Sequence, residues 1–294
     1  AYVEKLQAID SVLTFSKFSV ARMREDGVVA SLLPLGVDFD VFKPGTIGLE
    51  DWSRPKALRV IAQNRGGKIE TVLDGMFVFF TGGMMQHRKG LPDMIEAFRQ
   101  AFEGREDVIF WIHGRADGWG KHQHIDEIEG GPPMIWTDGD LADEDLGEIM
   151  GSLIDCYVSG HYLEGFGLMP LQAMASGAPV IATAYSGPMD YLREENAVLV
   201  HGKEVEARDP EIPPAMLSIQ AGSFEVQDMI AQAFSTSQAW SWDRTADAIE
   251  EELEKAQISL QKRSPMIPGL DILIPCRNGL RDLLRLLDSL TVSP

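Results

Sequence analysis

Short apolar runs alternate along the chain with stretches whose apolar residues recur at helical spacing. Residues 9–15 read as a strand, and after Ser16, a hydroxyl suited to a helix start, residues 17–25 read as a helix. An apolar run at 28–35 leads into the turn Gly36-Val37-Asp38 and the segment Phe42-Lys43-Pro44-Gly45, and residues 46–55 read as a linker. A longer series then begins with a helix around 56–64, a strand at 77–80, a loop at 81–90 and a helix at 91–102. In that helix Met94, Ile95, Phe98, Ala101 and Phe102 fall on one face. Strands at 108–113, 134–136, 155–159 and 179–184 alternate with helices at 144–152 and 169–176. Such alternation predicts βαβ crossovers, hence an α/β fold with a parallel sheet and helices on both faces. Sheets of this kind bind ligands in the loops beyond the carboxyl ends of their strands.

The rest of the chain reads as helical at 226–235 and 240–256, with Glu250, Glu251, Glu252 and Glu254 forming a solvated face. The run Ser264-Pro265-Met266-Ile267-Pro268-Gly269 interrupts this pattern. Beyond it, 271–275 reads as a buried strand and 279–290 as a leucine-rich helix, the opening of another α/β unit. No internal repeat is visible.

Composition narrows the range of functions. Among 294 residues, 45 acids against 26 Lys plus Arg give a net charge of −19, so broad nucleic-acid affinity is not expected, because neutralising phosphates needs clustered cations. Any phosphate must be held locally. No apolar run reaches the roughly 20 residues of a transmembrane helix. Cys156 and Cys276, the two cysteines, lie in apolar surroundings, which suggests buried thiols and a cytoplasmic setting. The chain opens without methionine in a segment that already looks structured, and it is expected to be a piece of a longer protein.

Two segments carry the chemistry. The first runs from Glu164 through Gly165, Phe166 and Gly167 to Leu168 and Gln172: a strand end, a carboxylate, two glycines and then a helix. The helix's first N–H groups and its dipole make this an anion site. Read as plain turn punctuation, the glycines would leave so long a contiguous pattern unexplained. The second segment is the loop Thr81-Gly82-Gly83-Met84-Met85-Gln86-His87-Arg88-Lys89-Gly90, whose adjacent cations suit a diphosphate, although a solvated charged turn would look similar. Asp38-Phe39-Asp40 and Asp138-Gly139-Asp140 both spell D-x-D but read as coincidence in an acidic chain. His113, His122 and His124 lack the partners of a metal site, and no metal is expected. A dinucleotide-dependent oxidoreductase is disfavoured because no G-x-G-x-x-G follows a strand.

Together these segments resemble the retaining glycosyltransferases of family 4, also called group 1, which have the two-domain GT-B fold. The resemblance implies that Lys89, in the loop of Gly83 and Arg88, grips the donor diphosphate, and that Gly139, Asp140 and Leu141 lie along the nucleotide base. It makes Glu164 the first glutamate of the family's E-x7-E motif, beside the donor sugar, with Lys89 and Glu164 as the catalytic pair. Gly165, Phe166, Gly167 and Leu168 then belong to the donor-binding loop. Ser16 with its strand, 33–38 and 42–44 look like the end of the acceptor domain and its crossover, and Trp240-Ser241-Trp242 opens a helix like the family's last. The implied partners are a UDP- or GDP-linked sugar and a hydroxyl acceptor, with no cofactor, in surface polysaccharide or glycoconjugate synthesis.

Three positions depart from the family pattern. The motif's second glutamate, a ribose ligand, falls at Gln172, which keeps one acceptor oxygen but loses the charge. A customary arginine falls at Met84, leaving Arg88 or Arg115 to supply the second cation, and His161 stands where a serine is usual. These departures also fit a non-catalytic nucleotide-sugar docking module within a multidomain glycosyltransferase. The expected division is 1–57, the end of the acceptor domain with its crossover; 58–257, the donor domain with the final crossover helix; 258–270, a linker; and 271–294. This last segment, through Asp271-Ile272-Leu273-Ile274-Pro275-Cys276-Arg277-Asn278-Gly279, resembles the start of a family 2 GT-A glycosyltransferase. With most of the acceptor domain outside the sequence, the isolated chain is expected to bind donor and transfer little.

Overall fold

Alternating strands and helices dominate the computed structural model, which describes residues 2–7, 9, 11–45, 59–64, 67–72, 75–84, 86–114, 131–137, 139–201, 212–221, 224–262 and 272–273. The chain divides into two units, Val37–Ala239 and the pair Ala1–Gly36 with Trp240–Pro294.

In the second of these, helix α1 (Tyr2–Gln7) precedes strand β1 (Ser11–Thr14), helix α2 (Lys17–Glu25) and strand β2 (Ser31–Leu32). The expected cap at Ser16 is present, its hydroxyl accepting the Ser19 N–H at 3.1 Å and so satisfying a donor that the first helical turn leaves open. β1 pairs in parallel with β2. On its other side it pairs in parallel with Ile272–Leu273, the described part of the strand read at 271–275. Leu13 and Leu33 bury with Ile249 of the long Trp242–Lys262 helix, and the Thr245 hydroxyl donates to the Pro34 carbonyl at 2.6 Å. Residues 240–262 thus pack with the opening 36 residues, to which the helix opened by Trp240-Ser241-Trp242 returns.

The larger unit contains one correction to the sequence reading. The helix expected at 56–64 is a strand, β3 (Arg59–Asn64), paired antiparallel with β4 (Gly67–Val72), with Asn64 opposite Gly67. Adjacent β-branched Val60 and Ile61, and a glycine pair at 66–67 that favours a chain reversal, outweigh the helical propensity of the flanking residues. Next come β5 (Phe77–Gly82), α3 (Leu91–Phe102), β6 (Val108–His113), β7 (Met134–Thr137), α4 (Asp143–Glu148), β8 (Cys156–Ser159), α5 (Leu168–Ala175), β9 (Val180–Thr183), β10 (Val198–Val200), α6 (Ile212–Gln220), α7 (Phe224–Ser237) and, in the other unit, α8 (Trp242–Lys262). A π-helical turn, Ile149–Leu153, extends α4.

Strands β5 to β10 form one parallel sheet in the order β10-β9-β8-β5-β6-β7. Both faces are covered, as the continuous apolar runs predicted. Phe79 and Phe80 point to opposite faces, yet both are fully buried. Phe79 meets Phe98 and Phe102 of α3, whereas Phe80 packs against Trp111 and Tyr157. Burying each such ring contributes about 2–3 kcal/mol, which makes the sheet a rigid platform for its edge loops. Strand order reverses between β5 and β8: β5 leads to β6 and β7 on one side, and the chain then crosses to β8 and β9 on the other. The crevice beyond the carboxyl ends of β5 and β8 is therefore where a parallel sheet opens to a ligand.

Candidate functional site

At that crevice the two chemistry-bearing segments meet. Gly83 to Gly90 follows β5, and its middle forms a 3-10 turn at His87–Lys89. Gly160 to Gly167 follows β8. Glu164, 8% exposed, sets one carboxylate oxygen against the Lys89 ammonium and the other 2.7 Å from the Arg88 guanidinium. Arg88 is itself oriented: its Nε donates to the Gln86 side chain at 3.1 Å and its Nη1 also donates to the Leu163 carbonyl at 3.2 Å. The two loops are stitched by backbone as well, since the Tyr162 N–H donates to the Arg88 carbonyl at 2.8 Å. Gly90, at φ 65°, has its Cα against the Gly160 carbonyl, where any side chain would collide. Tyr162 closes this side by donating to Asp93 at 2.8 Å, and burial together with that bond pushes its phenol up to about 12.

Burial alone would push the Glu164 carboxyl up. The Lys89 charge and hydrogen bond, with the Arg88 charge, outweigh it and hold the carboxyl below its ordinary value. Glu164 is therefore ionised at neutral pH, and both cations are engaged by it.

Behind Glu164 lies the start of α5. Gly167 at φ 83° precedes the helix and brings no side-chain acceptor, leaving the dipole's positive end uncapped by a side chain. A methyl group at Gly167 would lie 2.6 Å from Pro188 and 2.9 Å from the Tyr191 hydroxyl, so the close approach of the 187–191 turn requires glycine here. Tyr191 donates to the Gly167 carbonyl, and its ring stands 5.5 Å from that of Phe166. Leu168 opens the helix and Gln172 lies buried on its second turn.

His161 is fully buried. Its Nε2 lies 3.1 Å from the Tyr185 carbonyl, and its Nδ1 lies 3.0 Å from the Ser159 hydroxyl and 3.2 Å from the Ser159 carbonyl, so either nitrogen has a carbonyl to donate to. Burial drives its pKa below the ordinary value, against the opposing pull of Tyr185 and Glu164, which favours the neutral ring.

The remaining sequence-derived candidates lie elsewhere on this edge. Gly139 and Asp140, exposed, and half-buried Leu141 follow β7, the outermost strand on that side. Gly83 follows β5, and a Cβ built on it would lie 3.6 Å from the Lys89 ammonium. Arg115 lies outside the described residues, as do Asp138, His122 and His124. His113 bonds the Thr137 hydroxyl at 2.7 Å, and Asp38 accepts the Asp40 N–H at 3.0 Å in a local turn. Among the described residues no three His, Cys, Asp or Glu side chains gather as a metal would need, and no helix is long and apolar enough to cross a membrane. Cys156 is a buried free thiol, whereas Cys276 lies outside the described residues.

Sequence reasoning missed Ser186. Its hydroxyl accepts the Glu164 N–H at 2.9 Å, and no local pattern signals a contact across 22 residues.

Comparison with known proteins assigns this architecture. Residues 67–212 match the family described as glycosyl transferases group 1. This segment is similar to the group 1 glycosyl transferases. The chain is similar to the D-inositol 3-phosphate glycosyltransferase of Salinispora arenicola, at 27% identity over 242 residues, covering 79% of this chain and 51% of that relative. Among solved structures, sucrose-phosphate synthase from Thermosynechococcus elongatus superposes with a TM-score of 0.66 at 20% identity, covering 88% of this chain and 61% of that one. Anabaena HepE, solved with UDP and glucose, gives 0.64 at 18% identity, covering 86% of this chain and 66% of that one. These neighbours establish a GT-B-type α/β fold. The chain spans about half or less of the length of the curated relatives it matches.

Proposed function

We propose that this chain is the donor-binding part of a retaining glycosyltransferase that moves a sugar from a UDP- or GDP-linked donor to a hydroxyl acceptor in polysaccharide or glycoconjugate synthesis. The observation that carries this reading is the meeting of Lys89 and Arg88 with Glu164 at the switch point of the sheet, beside the start of α5. An incoming diphosphate competes with Glu164 for both cations. As they turn to phosphate, the carboxylate is released toward the sugar, where it orients hydroxyls and offsets positive charge near the ring. Charge developing on the leaving diphosphate is then met by Lys89, Arg88 and the first N–H groups of α5, all in place before the reaction. No metal is required for this stabilisation. The similarity to HepE, solved with UDP, supports a nucleotide ligand.

Titration of the chain with UDP and GDP tests this reading, with saturable binding by one of them expected. Because the cleft of a GT-B enzyme lies between two domains, the chain alone is expected to turn over little, and its longer parent to form product with the donor's anomeric configuration. One observation favours a second reading, a non-catalytic docking module: Gln172 is buried where a charged ribose ligand is expected. Gln172→Glu combined with Met84→Arg in the parent discriminates, since a large gain from no activity favours the module.

A further inference from the structure

Among the described residues Ser186 is the single non-glycine at positive φ. Its φ of 63° and ψ of −146° fall in a region that is nearly glycine-only, because Cβ crowds the backbone there. Such a conformation persists only where the surroundings impose it. Two bonds do so, and both go to one residue: the Glu164 N–H donates to the Ser186 hydroxyl at 2.9 Å, and the Gly187 N–H donates to the Glu164 carbonyl at 3.0 Å. Gly187 also lies against the Gly165 backbone too closely for any Cβ. On the other flank His161 Nε2 lies 3.1 Å from the Tyr185 carbonyl, bringing the same turn against the end of β8.

We propose that Ser186 is a positioning residue for the Glu164 carboxylate. It holds the Glu164 peptide at its N–H while Gly187 holds it at its carbonyl, so that the side chain is delivered between Lys89 and Arg88. The strained backbone is the cost of bringing a hydroxyl and the next N–H onto one peptide at once. A glycine would take this conformation freely and give the turn, yet it has no hydroxyl to offer; the serine therefore serves Glu164 rather than the turn. This inference rests on the donor-site reading above for its consequence in ligand binding, and on the geometry alone for the placement of Glu164.

Ser186→Gly and Ser186→Ala separate the two roles in the full chain. Both remove the acceptor, but only glycine relieves the strain, so the thermal midpoint of Ser186→Gly should stay at or above wild type while that of Ser186→Ala falls. In both, amide exchange at Glu164 should quicken at least tenfold, and affinity for UDP or GDP, whichever the wild type binds, should rise severalfold, because a displaced carboxylate competes less well for Lys89 and Arg88. A gain of affinity in both variants, whatever their stability, is the signature of positioning, because a purely structural residue would have affinity fall with stability. Unchanged exchange at Glu164, or unchanged affinity with quickened exchange, overturns the proposal. Should the wild type bind neither nucleotide, the donor reading falls. Titration of the Glu164 carboxyl by NMR then decides the placement: movement toward the ordinary value in both variants supports it, and no movement overturns it.

Discussion

The loop after β8 and the loop after β7 leave the same edge of one sheet, yet the first is held on several sides and the second meets solvent. Glu164 is fixed through its peptide by Ser186 and Gly187 and through its carboxylate by Lys89 and Arg88, and Gly167 is wedged against Pro188 and Tyr191. Gly139, at φ 133°, has open space where a Cβ would be, and Asp140 is exposed. If these are the sugar-diphosphate and base ends of one donor site, the protein has pre-ordered the end where charge develops and left the end that only recognises the base to be ordered by the ligand. Pre-organisation is most useful where the transition state differs from the ground state.

The sharpest way to break this contrast is Lys89→Ala. It removes one of the two cations and leaves Glu164 buried with Arg88, so nucleotide affinity should fall about thirtyfold or more by calorimetry. Stability in urea should fall by about 2 kcal/mol, and pairing the change with Glu164→Gln should restore part of it. Next, Gly167→Ala forces a methyl group against Pro188 and Tyr191 and should cost about 2–3 kcal/mol, whereas Gly139→Ala meets no neighbour and should cost about 1 kcal/mol for its backbone alone. Equal costs would erase the difference between the loops.

Acid should loosen the braced end first. Glu164, with its pKa held down in the fold, contributes stability that is present above its ordinary value near 4.5 and lost as pH falls through the depressed one. His161 is likewise depressed, so the unfolded chain takes up its proton first; its contribution is present above 6.5 and declines as pH drops toward the folded value. Both effects have the same sign, and the urea midpoint should fall from pH 7 to pH 4. His161→Gln should flatten the part of that fall that begins at 6.5. The smallest effect is expected from Arg88→Lys, which keeps the charge and loses the fork held by Gln86: a few-fold in affinity.

Much of this was legible in sequence where the signal is local. Strands such as Phe77–Gly82 and Val108–His113 are continuous apolar runs, α3 carries its core stripe at helical spacing, and Ser16 announces a helix by its hydroxyl. The glycines and charges of the 83–90 and 164–168 loops marked both segments before any fold was in view. Residues 59–64 misled because a mixed polar and apolar hexamer fits either period, and its strand pairing resolves the ambiguity. β10, three residues long, and α6, Ile212–Gln220, which begins with Ile-Pro-Pro, offered too weak a pattern. The clasp of Ser186 and His161 was illegible for a different reason: it depends on which loops the sheet brings together, and side-chain bonds over such separations leave no spacing to read.

Calorimetric titration of the wild-type chain and Lys89→Ala with UDP and GDP tests the central claim most directly, that Lys89 and Arg88, held in place by Glu164, form the diphosphate site. The account predicts saturable binding of one nucleotide by the wild type, weakened about thirtyfold or more by the substitution. Equal affinity in the two proteins, or no binding to the wild type at millimolar nucleotide, would contradict it.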